Sequence, residues 1–77
     1  MIATPRRVHE LYDLPYEMTI GLRDVCADDD EVQAVMRSSF AHQYRQEIIR
    51  RVKSGESIDQ AVYHEAENTR NLYRAFS

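Results

Sequence analysis

The chain has 77 residues, enough for one domain, and its formal net charge of −3 excludes a strongly basic nucleic-acid binder. No apolar stretch approaches the roughly 20 residues that span a bilayer, and the single cysteine, Cys26, excludes an intramolecular disulfide. The basic residues near the N-terminus are followed by no apolar segment, so we expect no signal peptide. The sequence thus predicts one cytoplasmic domain over residues 1–77 with no membrane contact. A chain this short buries only ~60% of its unfolded surface, so we also expect a homodimer.

The N-terminal segment opens with the pattern of a helix start. Thr4 offers a capping oxygen and Pro5 suits the first turn, where no N–H is missed. We expect Pro15 to end this helix. Residues 16–26 are ambiguous, because their apolar side chains alternate as in a strand at first and then follow helical spacing. A lone strand would have no partner, so we favour a short helix there.

Four consecutive acidic residues precede the next apolar pattern: Asp28, Asp29, Asp30 and Glu31. Acids in the first turn of a helix are stabilised by the positive end of the helix dipole, so we expect them to cap a helix. A cation site or an acidic patch that faces a partner protein is the alternative. A calcium loop is excluded, because the glycine and the distal glutamate of that motif are absent.

Apolar residues then recur at helical spacing from Val32 to Val52. One helix from Asp30 to Ser54 would be ~37 Å long, whereas a compact domain of this size has a diameter of roughly 30 Å. We therefore favour a break at Ser38–Ser39 over an elongated, dimeric protein.

The best-marked turn lies between residues 53 and 58. Gly55 has the sequence context of a helix C-terminus and follows several basic residues, which suit the negative end of the dipole. Ser57 has a glutamine three residues later, at Gln60, as in a capping box. We predict that one helix ends and another begins here.

The residue types needed for catalysis or metal binding do not occur at suitable spacings. The three histidines lack the glutamate partners of a helical metal site. His9 with Asp13, and His64 with Glu67, lie within one helical turn, but each is only a pair. Cys26 has no basic neighbour in sequence to lower its pKa, so we interpret it as a core residue. Gly21 and Gly55 stand alone, without a phosphate-binding loop. We expect no enzyme activity, no metal, no cofactor and no small-molecule substrate.

The charges of the two halves differ. Residues 1–40 contain four basic and eight acidic residues, a net charge of −4, whereas residues 41–77 contain six and five, a net charge of +1. This distribution of charge is compatible with a module whose C-terminal half contacts DNA.

In that half, residues Tyr44 to Phe76 resemble the helix-turn-helix of insertion-sequence transposases and related small regulators. Gly55, Ser57, Ile58 and Ala61 stand where that family has its glycine, cap, apolar and small positions. The resemblance implies a turn near residues 66–67, followed by a short recognition helix. The family has a glycine and then an apolar residue at that turn, whereas this chain has Ala66 and Glu67. One continuous helix over residues 58–76, paired with its predecessor as a hairpin, is the alternative.

The resemblance also implies the residues that would contact DNA. The N-terminal part of a recognition helix reads base edges in the major groove. That part contains Asn68, Thr69, Arg70 and Asn71, and Asn and Arg suit adenine and guanine. The arginines placed to reach phosphates are Arg45, Arg50, Arg51 and Arg74.

The fold class predicted is all-α. It is either a helix-turn-helix with N-terminal helices or a helical hairpin with a short N-terminal helix. The function predicted is a small DNA-binding transcriptional regulator. The alternative is a protein-binding helical inhibitor or adaptor, of the sort that phages and mobile elements encode, acting on a host or regulatory protein. It would use the acidic run Asp28–Glu31 or an exposed Tyr/Phe surface.

Overall fold

A computed structural model describes residues 13–77, so the helix start predicted at Thr4 and Pro5 lies outside the described residues. Those residues form four helices and no strand, which confirms the all-α prediction. The helices are α1 (Leu14–Val25), α2 (Asp29–Arg37), α3 (Phe40–Lys53) and α4 (Ile58–Phe76).

The ambiguous segment after residue 15 is helical, as favoured. Leu14, Met18 and Leu22 recur every four residues, and all three are buried. Pro15 lies in the first turn of α1, where its missing N–H loses no hydrogen bond. The preceding helix that Pro15 was expected to end lies outside the described residues.

The break predicted at Ser38–Ser39 is confirmed. α2 ends at Arg37 and α3 begins at Phe40. The Ser38 hydroxyl donates to the Val35 carbonyl at 2.7 Å and accepts from the Phe40 amide at 3.2 Å, so it serves both helix ends. Even with this break, the described residues are elongated, with principal extents of 45 × 21 × 16 Å.

The turn between α3 and α4 forms as predicted. Gly55 has a φ of +114°, a left-handed conformation that L-residues rarely adopt. The Gly55 amide donates to Val52 and the Glu56 amide donates to Arg51, the two hydrogen bonds of a Schellman motif. The Ser57 hydroxyl then accepts from the Gln60 amide, one half of the predicted capping box.

We expect Ser57→Ala to lower the free energy of unfolding by about 1 kcal/mol, because the Gln60 amide loses its acceptor. Gly55→Val is expected to cost more, since a left-handed conformation costs an L-residue about 1–2 kcal/mol. No atom lies within 4 Å of a Cβ at Gly55, so this cost is purely conformational. Urea denaturation measures both, with Ser57→Asn as the control that keeps a capping oxygen. Unchanged stability in both variants would contradict the turn.

Residues 58–76 form one unbroken helix, which corrects the turn expected near Ala66 and Glu67. Ala66 is fully buried in the core, whereas Glu67 is exposed and lies 3.8 Å from Arg70, one turn away. The buried carboxylate of α4 is instead Glu65, which is paired. Because Glu67 needs no apolar surroundings and no Gly or Pro interrupts the segment, the helix continues. Of the two arrangements considered, the hairpin is the one observed.

The core lies where α1 and α3 pack against α4. At the crossing of α1 and α4, Gly21 lets the two helices approach closely, and a methyl group there would overlap the Val62 Cγ1 atom. Tyr44 of α3 is buried and donates to the Met18 carbonyl of α1 at 2.8 Å. Burial raises the pKa of Tyr44, so this phenol stays a donor. These contacts hold α1 against both α3 and α4.

Candidate functional site

The four residues predicted to read DNA bases lie in the middle of α4, and they do not share one solvent-facing surface. Thr69 is buried, with 3% of its surface exposed, whereas Asn68 and Asn71 are exposed. Arg70 donates to the Val25 carbonyl at 2.7 Å and to Asn71. Val25 ends α1, so this guanidinium caps a free carbonyl at the negative end of a helix dipole.

Arg74, predicted to reach phosphate, instead bonds to Glu31 of α2. Its Nε and second terminal nitrogen donate to the two carboxylate oxygens at 2.7 and 2.8 Å. The Arg74 hydrogen bonds, followed by one from the Ala27 amide, lower the pKa of Glu31 to about 2. Glu31 therefore stays ionised, and the Arg74–Glu31 ion pair joins the end of α4 to the start of α2.

The three arginines predicted on α3 have different environments. Arg51 donates to the buried Glu65 at 2.7 Å and to Glu56 at 2.8 Å. Arg50 donates to Glu47 one turn away. Arg45 is exposed and forms no ion pair with another residue in the range 13–77. The cations predicted for DNA are thus mostly engaged within the chain.

The acidic run starts α2, which confirms the capping interpretation. The Asp28 carboxylate accepts from the Glu31 amide at 2.9 Å, and Glu31 accepts from the Ala27 amide at 2.7 Å. Asp29 lies 3.8 Å from Arg23. Asp30 is exposed. Three of the four acids predicted to face a partner therefore have contacts within the chain.

Cys26 is partly buried against the core, in agreement with its interpretation as a core residue. Burial, and next the Glu31 carboxylate, raise the pKa of its thiol. His64 lies 3.9 Å from Glu56 of the preceding turn, rather than pairing with Glu67 as considered from sequence. Within residues 13–77, no group of three His, Cys, Asp or Glu side chains is arranged to hold a metal ion.

A groove of about 240 Å³ runs between α1 and the first half of α4. Its apolar lining consists of Ile20, Gly21, Val25 and Val62, with Tyr63 at the edge. Tyr63 is 63% exposed, although its neighbour Val62 is buried. Gly21, where the two helices approach closely, is thus part of the lining of the groove.

Among the described residues, every charged side chain that lines this groove is acidic. Glu17 and Asp24 lie on α1, and Asp59 lies in the first turn of α4. None of the three is in an ion pair with another described residue. The groove therefore combines apolar walls with carboxylates on both sides.

The groove was not predicted from the sequence, because its two walls are about 40 residues apart in the chain. One signal was available. Gly21 interrupts an apolar helical segment without a turn, and an isolated helical glycine often marks a close helix contact. The partner helix could not be identified from that signal.

Comparison with protein-family models, curated proteins and solved structures gave no match. No helix within residues 13–77 is both long enough and apolar enough to cross a bilayer.

Proposed function

We propose that this chain is a protein-binding helical module, an inhibitor or adaptor, whose partner docks on the groove between α1 and α4. The observation that carries this proposal is the combination of apolar walls, an exposed tyrosine and three carboxylates in one concave surface. Tyrosine is among the residues that most often dominate binding energy at protein interfaces. Tyr63 is therefore the residue that we expect to contribute most.

The size of the groove favours a protein partner over a small molecule. Sites for small ligands enclose about 300–1,000 Å³, whereas this groove holds about 240 Å³. Such a volume suits one or two anchoring side chains of a larger partner. The rest of the interface would extend over the exposed surfaces of α1 and α4.

The charge of the groove disfavours nucleic acid at this surface, because three carboxylates repel phosphates. DNA binding through the predicted residues has less support than protein binding. Arg70, Arg74 and Arg51 would have to give up hydrogen bonds of 2.7–2.8 Å within the chain. The alternative function stated from sequence thus has the stronger physical basis, through a Tyr-containing surface and not through the acidic run.

The test is affinity capture from a lysate of the source cells, treated with nuclease, followed by binding measurements with the purified captured protein. We expect Tyr63→Ala to weaken binding at least tenfold, the effect of losing about 1.4 kcal/mol or more at a central aromatic residue. Phe76→Ala is the matched control, because Phe76 is 73% exposed on the same helix. It lies thirteen residues further along, or ~20 Å.

Equal retention by the wild type and Phe76→Ala, with loss in Tyr63→Ala, supports the proposal. Capture that does not depend on Tyr63 contradicts it. The purified chain is also tested for salt-dependent binding to duplex DNA. Such binding, if it is lost in Arg70→Ala, would support the DNA-binding prediction instead.

A further inference from the structure

We infer that the segment bound in the groove is a basic amphipathic helix of the partner, an inference that rests on the proposed function. The groove lies between two helices, and docking of an amphipathic helix into an apolar groove is a common mode of peptide recognition. Residues 13–77 contain no strand, so in this range no sheet edge is available to pair with an extended peptide.

The carboxylates specify the charge of the occupant. Glu17, Asp24 and Asp59 have no cationic partner among the described residues. Lys or Arg side chains of an occupant would supply the positive charges that pair with these carboxylates. Acidic rims on both walls also place a cation on either side of the helix that lies between them. The same arrangement disfavours an acidic or neutral segment.

The spacing of the carboxylates matches a helix. Glu17 and Asp24 are seven residues apart on α1, which is about two turns and ~10.5 Å along the helix axis. A partner helix that lies beside α1 presents cations at the same separation when they are also seven residues apart. Aliphatic residues between those cations would face Ile20 and Val62.

Tyr63 adds a second contact for a cation. Its exposed ring lies at the edge of the groove, where a Lys or Arg of the occupant can lie over the ring face. The long aliphatic stems of those side chains also cover apolar surface while their charged ends stay near the rim. The occupant is thus a helix with aliphatic residues on one stripe and Lys or Arg on both flanks.

The experiment is selection from a displayed library of random 16-residue peptides, with the full wild-type chain as bait. Fluorescence anisotropy then gives the affinity of each selected peptide for three proteins. These are the wild type, the groove variant Glu17→Gln/Asp24→Asn/Asp59→Asn, and the control variant Asp29→Asn/Asp30→Asn/Glu67→Gln. The control removes the same number of charges from exposed acids that do not line the groove.

We expect selected peptides with Lys or Arg at helical spacing around aliphatic residues. Their affinity should fall at least tenfold in the groove variant and less than twofold in the control, and their circular dichroism should become helical on binding. Peptides that depend on Tyr63 but contain no such cations overturn this inference and leave the proposed function intact. Peptides that bind independently of the groove, or equal losses in both variants, overturn both.

Two other occupants are distinguished by two further measurements. Self-association of the wild type in sedimentation velocity, abolished in the groove variant, would assign the groove to a second copy and overturn the inference. Peptides captured only by an Arg6→Gln/Arg7→Gln variant would assign it to the N-terminal segment of the same chain, with the same consequence.

Discussion

Replacing Arg51 with methionine is expected to lower the melting temperature of the protein by roughly 10 °C or more, because it leaves a buried carboxylate without its cation. Glu65 is only 5% exposed, and its Oε2 accepts from the Arg51 Nε at 2.7 Å. The same guanidinium also bonds to Glu56, whose other carboxylate oxygen is buried without a hydrogen-bond partner. One side chain of α3 thus neutralises an acid of the α3–α4 turn and a buried acid of α4.

Thermal denaturation followed by circular dichroism measures this effect. The double variant Arg51→Met/Glu65→Leu should recover most of the lost stability, because an apolar pair of similar volume replaces the ion pair. Arg50→Met is the adjacent control. Arg50 is exposed and, within residues 13–77, pairs only with Glu47, so we expect a shift of less than about 2 °C. Equal melting temperatures for Arg51→Met and Arg50→Met would show that the Glu65 pair is not important for folding.

Gly21→Ala is the second change with a large expected effect. In an exposed helical position this substitution stabilises by about 1 kcal/mol through helix propensity. Here the new methyl group would overlap Val62 Cγ1 and lie 3.1 Å from the Tyr44 hydroxyl oxygen. Overpacking of this kind costs about 1–3 kcal/mol. Since Val62 is buried and β-branched, it cannot turn away freely, so we expect a cost near the upper end of this range. After the gain in helix propensity, the net loss is about 2 kcal/mol.

The compensating change is Val62→Ala, which removes the overlapping atom. In urea denaturation, Gly21→Ala should be destabilising in the wild-type background and stabilising in the Val62→Ala background. This change of sign identifies the contact between the two residues as the cause. A stabilising Gly21→Ala in both backgrounds would mean that α1 and α4 do not approach closely at this position.

The same two contacts bear on the proposed function. Gly21 sets the distance between the walls of the groove. The hydrogen bond from Arg51 to Glu65 holds the first half of α4, which contains Asp59 and Tyr63, against α3. Variants at these positions therefore test the scaffold, while substitutions at Tyr63 and the rim carboxylates test binding.

The sequence by itself determined the helices and most of their ends, because these depend on neighbours within a few residues. Asp28 and Ser57 cap helices through amides three residues later. Gly55 supplies the left-handed conformation that ends α3. The serines at 38 and 39 separate α2 from α3 as predicted. Such local signals act through hydrogen bonds and backbone conformation that the nearby sequence specifies.

Only the tertiary structure decided what the polar residues of α4 do. Arg70 and Arg74 had the chemistry of base and phosphate contacts, yet their partners are the Val25 carbonyl and Glu31, more than 40 positions away in the chain. Helical spacing predicts which residues share a face, but it does not predict which helix will pack against that face. In this protein, the close crossing of α1 and α4 at Gly21 determines which helices pack against each other. It buries Ala66 where a turn was expected and opens the groove beside Tyr63.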